Sequence, residues 1–281
     1  MLKQRVITAL VLLGILLPAV FYPQPAAFAV VALVLIAAGA WEWARLNQYG
    51  ATVAVSIGVL CAAMCAASWY GGVLYMQLKL VWIIAGSAWV LLGAWLLRGG
   101  SGTWLRVPRA VRLVGGVVAL WVAWLAVIQA RMVGINFLFS VLVLVWIADI
   151  FAYFAGRAMG GRFFVNKLAP SISPGKTWEG VCGGMVGVVV CAFVWRGLEG
   201  ADMAGQISLY GRLSLVSTVF MVLAVLFLAS MSVVGDLVES LFKRSAGVKD
   251  SSNLLPGHGG VLDRVDALLP ILPLSMMLAT L

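Results

Sequence analysis

The chain has 281 residues, 63% hydrophobic and 10% charged, with a mean hydropathy of +1.08. Soluble globular domains carry about 45–50% apolar and 25% charged residues, so the composition excludes a soluble enzyme, a disordered chain and a secreted disulfide scaffold. It leaves an integral membrane protein, whose net charge of +9 fits basic loops beside a bilayer rather than a nucleic-acid partner.

A helix needs about 20 apolar residues to cross the hydrocarbon layer. Apolar runs of that kind predict nine spans, at 6–22, 26–44, 52–70, 78–97, 112–131, 135–154, 179–196, 213–235 and 265–281. The first follows Lys3 and Arg5 and precedes Ala27-Phe28-Ala29, in the manner of a signal peptide. More spans follow at once, so it reads as a retained first helix. Nine spans leave about a hundred residues for loops, and any chemistry must be built from helix ends and short connections.

With the N-terminus inside, fifteen of the nineteen Lys and Arg residues fall in cytoplasmic segments; only Lys79, Arg131, Arg196 and Arg212 lie outside. The expected fold is therefore all-α: a polytopic integral membrane protein of about nine transmembrane helices with a cytoplasmic N-terminus. Cys61, Cys65, Cys182 and Cys191 all lie in apolar stretches and His258 is the single histidine, which argues against a zinc or iron–sulfur site. Acidic residues are unevenly spread. Glu42 is alone up to residue 148, and the other nine lie between Asp149 and Asp266. Residues 1–135, about five spans, thus read as scaffold, and 136–281, about four spans, as the catalytic region with cytoplasmic loops 155–178 and 236–264.

Three polar constellations stand out. Asp149, Tyr153 and Arg157 recur at i, i+4 and i+8 and share one helical stripe, and a carboxylate inside a span is by default a functional residue. The next loop contains Ser173-Pro174-Gly175-Lys176-Thr177-Trp178-Glu179-Gly180. This is no P-loop, since Pro170 stands where that motif needs glycine and no strand precedes it. Ser173 and Pro174 read instead as an N-cap and first helical residue, a helix start that favours anions beside Lys176.

The densest constellation runs from Asp236 to Asp266. Asp236, Glu239, Ser240 and Lys243 lie at i, i+3, i+4 and i+7, on one face of a helix leaving the eighth span. Arg244, Lys249 and Asp250 follow, then a glycine-rich turn with His258, Gly259 and Gly260, and finally Asp263, Arg264 and Asp266. Carboxylates clustered with several cations have the logic of phosphoryl or nucleotidyl transfer, in which acids hold Mg²⁺ and bases stabilise charge on phosphorus. Lys243 is placed to reach phosphates held at Asp236, and Lys176, at a separate helix start, to serve a second anion.

The run from Ser240 through Lys243-Arg244, Lys249-Asp250 and Pro256-Gly257-His258-Gly259-Gly260 to Asp263-Arg264-Val265-Asp266 resembles the signature of the phosphatidate cytidylyltransferases, or CDP-diacylglycerol synthases. The blocks Asp149–Arg157 and Ser173–Gly180 are similar to that family too. The resemblance implies transfer of the cytidylyl group of CTP to phosphatidate, giving CDP-diacylglycerol and pyrophosphate, with Mg²⁺ held by Asp236 and Asp263 and with Asp266 close by. It also implies a second, monovalent cation such as K⁺, a homodimer, and a polar cavity open to the cytoplasm in a bacterial inner membrane. Lys243, Arg244, Asp263 and Asp266 would then act at the reacting phosphates. Ser173, Lys176, Ser240, Lys249, His258, Gly259, Gly260 and Arg264, with Asp149, Tyr153 and Arg157, would bind the substrates. The signature of the CDP-alcohol phosphotransferases is absent. A CTP-dependent polyprenol kinase would lack the full run to Asp266, and an ion-coupled transporter would spread its acids through mid-bilayer rather than at one interface.

The charge asymmetry makes a topological prediction. In intact cells, single cysteines placed in 157–176 or 243–262 should resist labelling from outside, whereas those in 199–210 should label. Labelling of 243–262 from outside would reverse the orientation.

Overall fold

In hydrocarbon the backbone can bond only to itself, so long apolar runs become helices. The computed structural model describes residues 2–199 and 207–280, and among these no strand forms beyond two isolated bridges, Ala169 with Ser173 and Leu255 with Gly259. Six helices come first: α1 (Leu2–Phe21), α2 (Pro25–Leu46), α3 (Ala51–Tyr70), α4 (Lys79–Arg106), α5 (Arg109–Val133) and α6 (Ile135–Met159). Then follow α7 (Trp178–Leu198), α8 (Leu209–Val216), α9 (Thr218–Ser245), α10 (Leu262–Val265) and α11 (Leu268–Ala279). Among the described residues eight of these, α1 to α7 and α9, are long and apolar enough to cross a membrane. The chain is a polytopic membrane protein.

Two expected spans differ in form. The eighth, expected over 213–235, breaks at Ser217, whose extended backbone ends α8 and whose hydroxyl caps α9 by accepting from Phe220 N at 3.0 Å. Helix α9 then runs ten residues past the expected end and carries Asp236, Glu239, Ser240, Lys243 and Arg244 on its own body. The ninth, expected over 265–281, is the twelve-residue α11, about 18 Å long. The chain is already deep in the bundle when α11 begins. A Cβ on Gly235 would lie 2.7 Å from the Asp266 carbonyl, and Gly235 is ten residues, about 15 Å of helix, from the end of α9. Residues 200–206, in the connection expected on the outer side, lie outside the described residues.

Close helix crossings frame the site. Helices α6 and α7 approach so tightly that a Cβ on Gly184 would stand 2.8 Å from the Ala148 carbonyl. Small residues at such seams let backbones meet where no hydrophobic effect drives association. On the other side of α9, Phe242 packs between Trp43 of α2 and Trp104 of α4, at ring separations of 5.0 and 4.1 Å. Trp43 itself is anchored by donating to the carbonyls of Arg112 and Leu113, both at 3.1 Å. This aromatic clamp fixes the last turns of α9 and so the direction of Lys243.

Gly184→Val should prise α6 from α7 and lower stability by about 1–3 kcal/mol, the usual cost of overpacking. Thermal unfolding of the purified protein in detergent measures it. Gly14→Val, at a position where a Cβ would meet nothing within 4 Å, should show no loss.

Candidate functional site

The polar ends of α6, α7 and α9 enclose a cleft of about 540 Å³. Asp149, Tyr153 and Arg157 line it from α6, as their spacing requires, and Arg157 Nη1 donates to Tyr153 Oη at 3.0 Å. Gly175, Lys176 and Thr177 line it from the 160–177 loop and Asp236 from α9. Lys176 Nζ lies 2.5 Å from Asp236 Oδ2, and Ser240 Oγ donates to Asp236 Oδ1 at 3.3 Å. Asp149 also feels the charges of Asp236 and Lys176.

Lys176 and Lys243 each take carboxylate partners that the sequence did not assign to them. Lys176 does stand at a separate helix start, one residue before the Thr177 cap of α7, and there it is the cation paired with Asp236. Lys243 is held between Glu239 and Asp263, its Nζ 2.6 Å from Asp263 Oδ1. Ser173 does not cap α7. The N-cap is Thr177, whose hydroxyl accepts from Gly180 N at 3.1 Å. Ser173 instead closes a tight turn, its N–H donating to the Ala169 carbonyl at 2.8 Å. The competing turn, bridged between Ala169 and Ser173, uses the backbone that a helix starting at Pro174 would need.

The 250–264 segment folds around Asp263. Its Oδ2 accepts from Ser251 N at 2.9 Å, Ser251 Oγ at 2.9 Å and Gly260 N at 2.7 Å. Burial would raise the Asp263 carboxyl. The Lys243 ammonium and the N–H groups of Gly260 and Ser251 outweigh burial and hold it below its ordinary value. Leu255 and Gly259 bridge the base of the turn, Arg264 Nε donates to the His258 carbonyl at 3.0 Å, and Arg5 Nε of α1 donates to the Gly257 carbonyl at 3.0 Å. Arg244 reaches the Ile172 carbonyl at 3.4 Å and joins this loop to the preceding one. Lys249 and Arg264 are exposed, and His258 half-buried, outside the cleft.

The expected metal trio is not assembled. Among the described residues no three carboxylate, histidine or cysteine side chains converge on one point. Both Asp263 oxygens are engaged by protein donors, which is the physical reason it does not join Asp236. Asp266 feels the charges of Asp236, Lys243 and Lys176, while its Oδ1 accepts from Ala267 N at 2.7 Å.

Two carboxylates organise the site although the sequence reading gave them no place in it. Glu179 Oε1 accepts from the N–H groups of Gly161, Phe163 and Phe164 at 3.0, 3.1 and 3.0 Å and ties down the start of the 160–177 loop. Glu42 of α2, fully buried, does the same for the 251–262 loop. The signal for Glu42 was its solitude: one carboxylate in an otherwise apolar stretch has to find donors somewhere.

A bundle of membrane-spanning helices with paired cations and carboxylates gathered at one end defines a class, the polytopic membrane proteins with a charged site among their helix ends. The sequence model of the cytidylyltransferase family matches residues 3–281, and the chain belongs to that family of nucleotidyltransferases. It is 40% identical to the phosphatidate cytidylyltransferase of Pseudomonas aeruginosa, over 97% of this chain and 95% of the relative. It is 37% identical to the one from Haemophilus influenzae, over 97% and 96%. The Bacillus subtilis protein of the same name matches at 39% over 53% of this chain and 49% of its own length.

A carboxyl held low in the folded state contributes stability that is fully present above its unfolded value, about 3.9, and is lost as pH falls through the lower folded value. The gap in melting temperature between the parent protein and Asp263→Asn should therefore be constant from pH 5 to 8 and narrow below about pH 4. A gap unchanged down to pH 3 would mean that the ionised form is not what the loop donors hold.

Proposed function

We propose that the chain transfers the cytidylyl group of CTP to phosphatidate, giving CDP-diacylglycerol and pyrophosphate for phospholipid synthesis. The observation that carries this reading is the likeness over 97% of the chain to two relatives of that name. The site supports it, since the cleft gathers Arg157, Lys176, Asp149 and Asp236 at the polar end of a membrane bundle. We place that end on the cytoplasmic side of a bacterial inner membrane, where CTP is available, and extend the reading to a homodimer.

The chemistry needs no covalent enzyme intermediate. A phosphate oxygen of phosphatidate bonds to the α-phosphorus of CTP as the bond from that phosphorus to the β-phosphate oxygen breaks, and pyrophosphate takes the electron pair. Phosphatidate already presents an anionic oxygen near neutral pH, so no strong base is required. The enzyme's task is to hold two anions together in line, a matter of orientation and charge. Lys176 and Arg157 would bind phosphates in the cleft, and Arg244, Lys249 and Arg264 would draw them to its mouth. The cleft suits a divalent cation: Asp236 already holds the Lys176 ammonium and Asp149 faces the same space. Asp236 and Asp149 would hold Mg²⁺, while Asp263 orients Lys243, whose ammonium would stabilise charge at the reacting phosphates. When bound, Mg²⁺ neutralises triphosphate charge and polarises the reacting phosphoryl group. A monovalent cation such as K⁺ would be a second occupant of the same acidic region.

The test is a detergent-micelle assay with phosphatidate and CTP labelled at either the α- or the γ-phosphate. The α-label should enter the lipid phase only with Mg²⁺ present, and the γ-label should leave as pyrophosphate. Asp236→Asn should lower turnover by about a hundredfold or more. Transfer of the γ-label to lipid would identify a kinase, and no lipid label from folded protein would sink the reading.

A further inference from the structure

Glu42 sits on α2, in the half of the chain that carries no other acid before residue 149, and is wholly removed from solvent. Its carboxylate meets four donors from a segment more than 200 residues away. Oε1 accepts from Ser252 Oγ at 2.6 Å and Val261 N at 2.9 Å. Oε2 accepts from Leu262 N at 2.8 Å and lies 3.2 Å from Ser251 Oγ. These donors flank the glycine-rich turn on both sides, so one side chain closes the loop at its base. Ser251 Oγ is also 2.9 Å from Asp263 Oδ2, and Asp263 Oδ1 holds Lys243. A continuous polar chain thus runs from α2 through Ser251 and Asp263 to Lys243 on α9. Gly260 completes the fit: a Cβ there would stand 2.0 Å from Ser251 Oγ and 2.4 Å from Glu42 Oε1.

We propose that Glu42 is a positioning residue for the transfer reaction, acting through the 251–262 loop to fix Asp263 and Lys243. The proposal rests on the cytidylyl-transfer reading. Glu42 itself touches none of the residues lining the cleft that would bind substrate. Its contribution is geometric, and it depends on both oxygens being acceptors. In Glu42→Gln the amide NH₂ must face either the Val261 or the Leu262 N–H, both donors, so one bond is lost whichever way the amide turns. Loss of a buried partner of this kind is strongly felt even where shape is conserved.

Expected for Glu42→Gln is a fall in kcat of about ten- to a hundredfold with both KM values within about threefold, because ground-state binding in the cleft is untouched. Glu42→Asp, which keeps two acceptors, should recover part of the rate. Amide exchange should accelerate in 251–262 and stay at the parent level in α6 and α7. Parent kcat with parent exchange in Glu42→Gln would overturn the proposal. So would a loss of protection spread evenly over all helices, which would make Glu42 a residue of the fold alone. If Glu42→Gln cannot be recovered folded, Ser252→Ala decides: it removes one of the four donors, and parent kcat with parent loop exchange there would overturn the proposal. Should the parent protein itself fail to transfer label to lipid, the functional reading fails. Loop exchange in Glu42→Gln then still reports whether Glu42 holds the loop, and parent-level exchange would overturn that as well.

Discussion

A carboxylate that water cannot reach must be satisfied by the protein, and the polar end of this bundle is arranged around that requirement. An unpaired buried charge costs several kcal/mol, and a buried backbone N–H without an acceptor is comparably unfavourable. The structure meets both needs with the same bonds. Glu179 collects the N–H groups of Gly161, Phe163 and Phe164; Asp263 collects those of Ser251 and Gly260; Glu42 collects those of Val261 and Leu262. Neither loop has a helix or a sheet to consume its donors. Each is ordered because a fixed carboxylate on a helix, or at the start of one, consumes them instead.

Two kinds of ion pair follow from how deep each lies. Lys243 is enclosed between Glu239 and Asp263, its side chain 13% exposed and theirs 6% and 5%. Separating those charges would leave one of them buried without a partner, so the cluster is a fixture. Lys176 and Asp236 are 25% and 34% exposed and face the cleft. A pair that water already reaches contributes little by itself, and an incoming anion or cation can compete for either member. The closed cluster sets the shape of the loop, and the open pair is the part able to exchange partners.

Much of this was legible in the sequence, and the rest failed for identifiable reasons. Composition and apolar runs predict the helices because the bilayer leaves the backbone no alternative, and α1 to α7 fall where expected. The stripe Asp149, Tyr153, Arg157 and the face Asp236, Glu239, Ser240, Lys243 follow from helical periodicity, which is local. What depends on tertiary contact was hidden. Ser173-Pro174 has the local preference of a helix start, yet the Ala169–Ser173 turn takes that backbone and the cap passes to Thr177. The family resemblance placed Asp263 with Asp236, and only the fold shows Lys243, Ser251 and Gly260 engaging it first. Glu42 carried a signal in its isolation, but its partners lie over 200 residues away.

The same contacts set the depth at which α11 begins. The 251–262 loop cannot remain at the surface, because Glu42 lies four residues inside the end of α2 and draws Val261 and Leu262 down to it. The chain therefore enters α10 already below the level of the loop tips. Gly235 then admits the Asp266 carbonyl against α9 with no side chain between them. Pro270 is tolerated in the first turn of α11, where its missing N–H has no helical acceptor to lose. Pro273, further in, is buried with its neighbours on every side. The depth that hides Glu42 and Asp263 from water, and so makes their hydrogen bonds strong, is thus also the depth from which α11 starts.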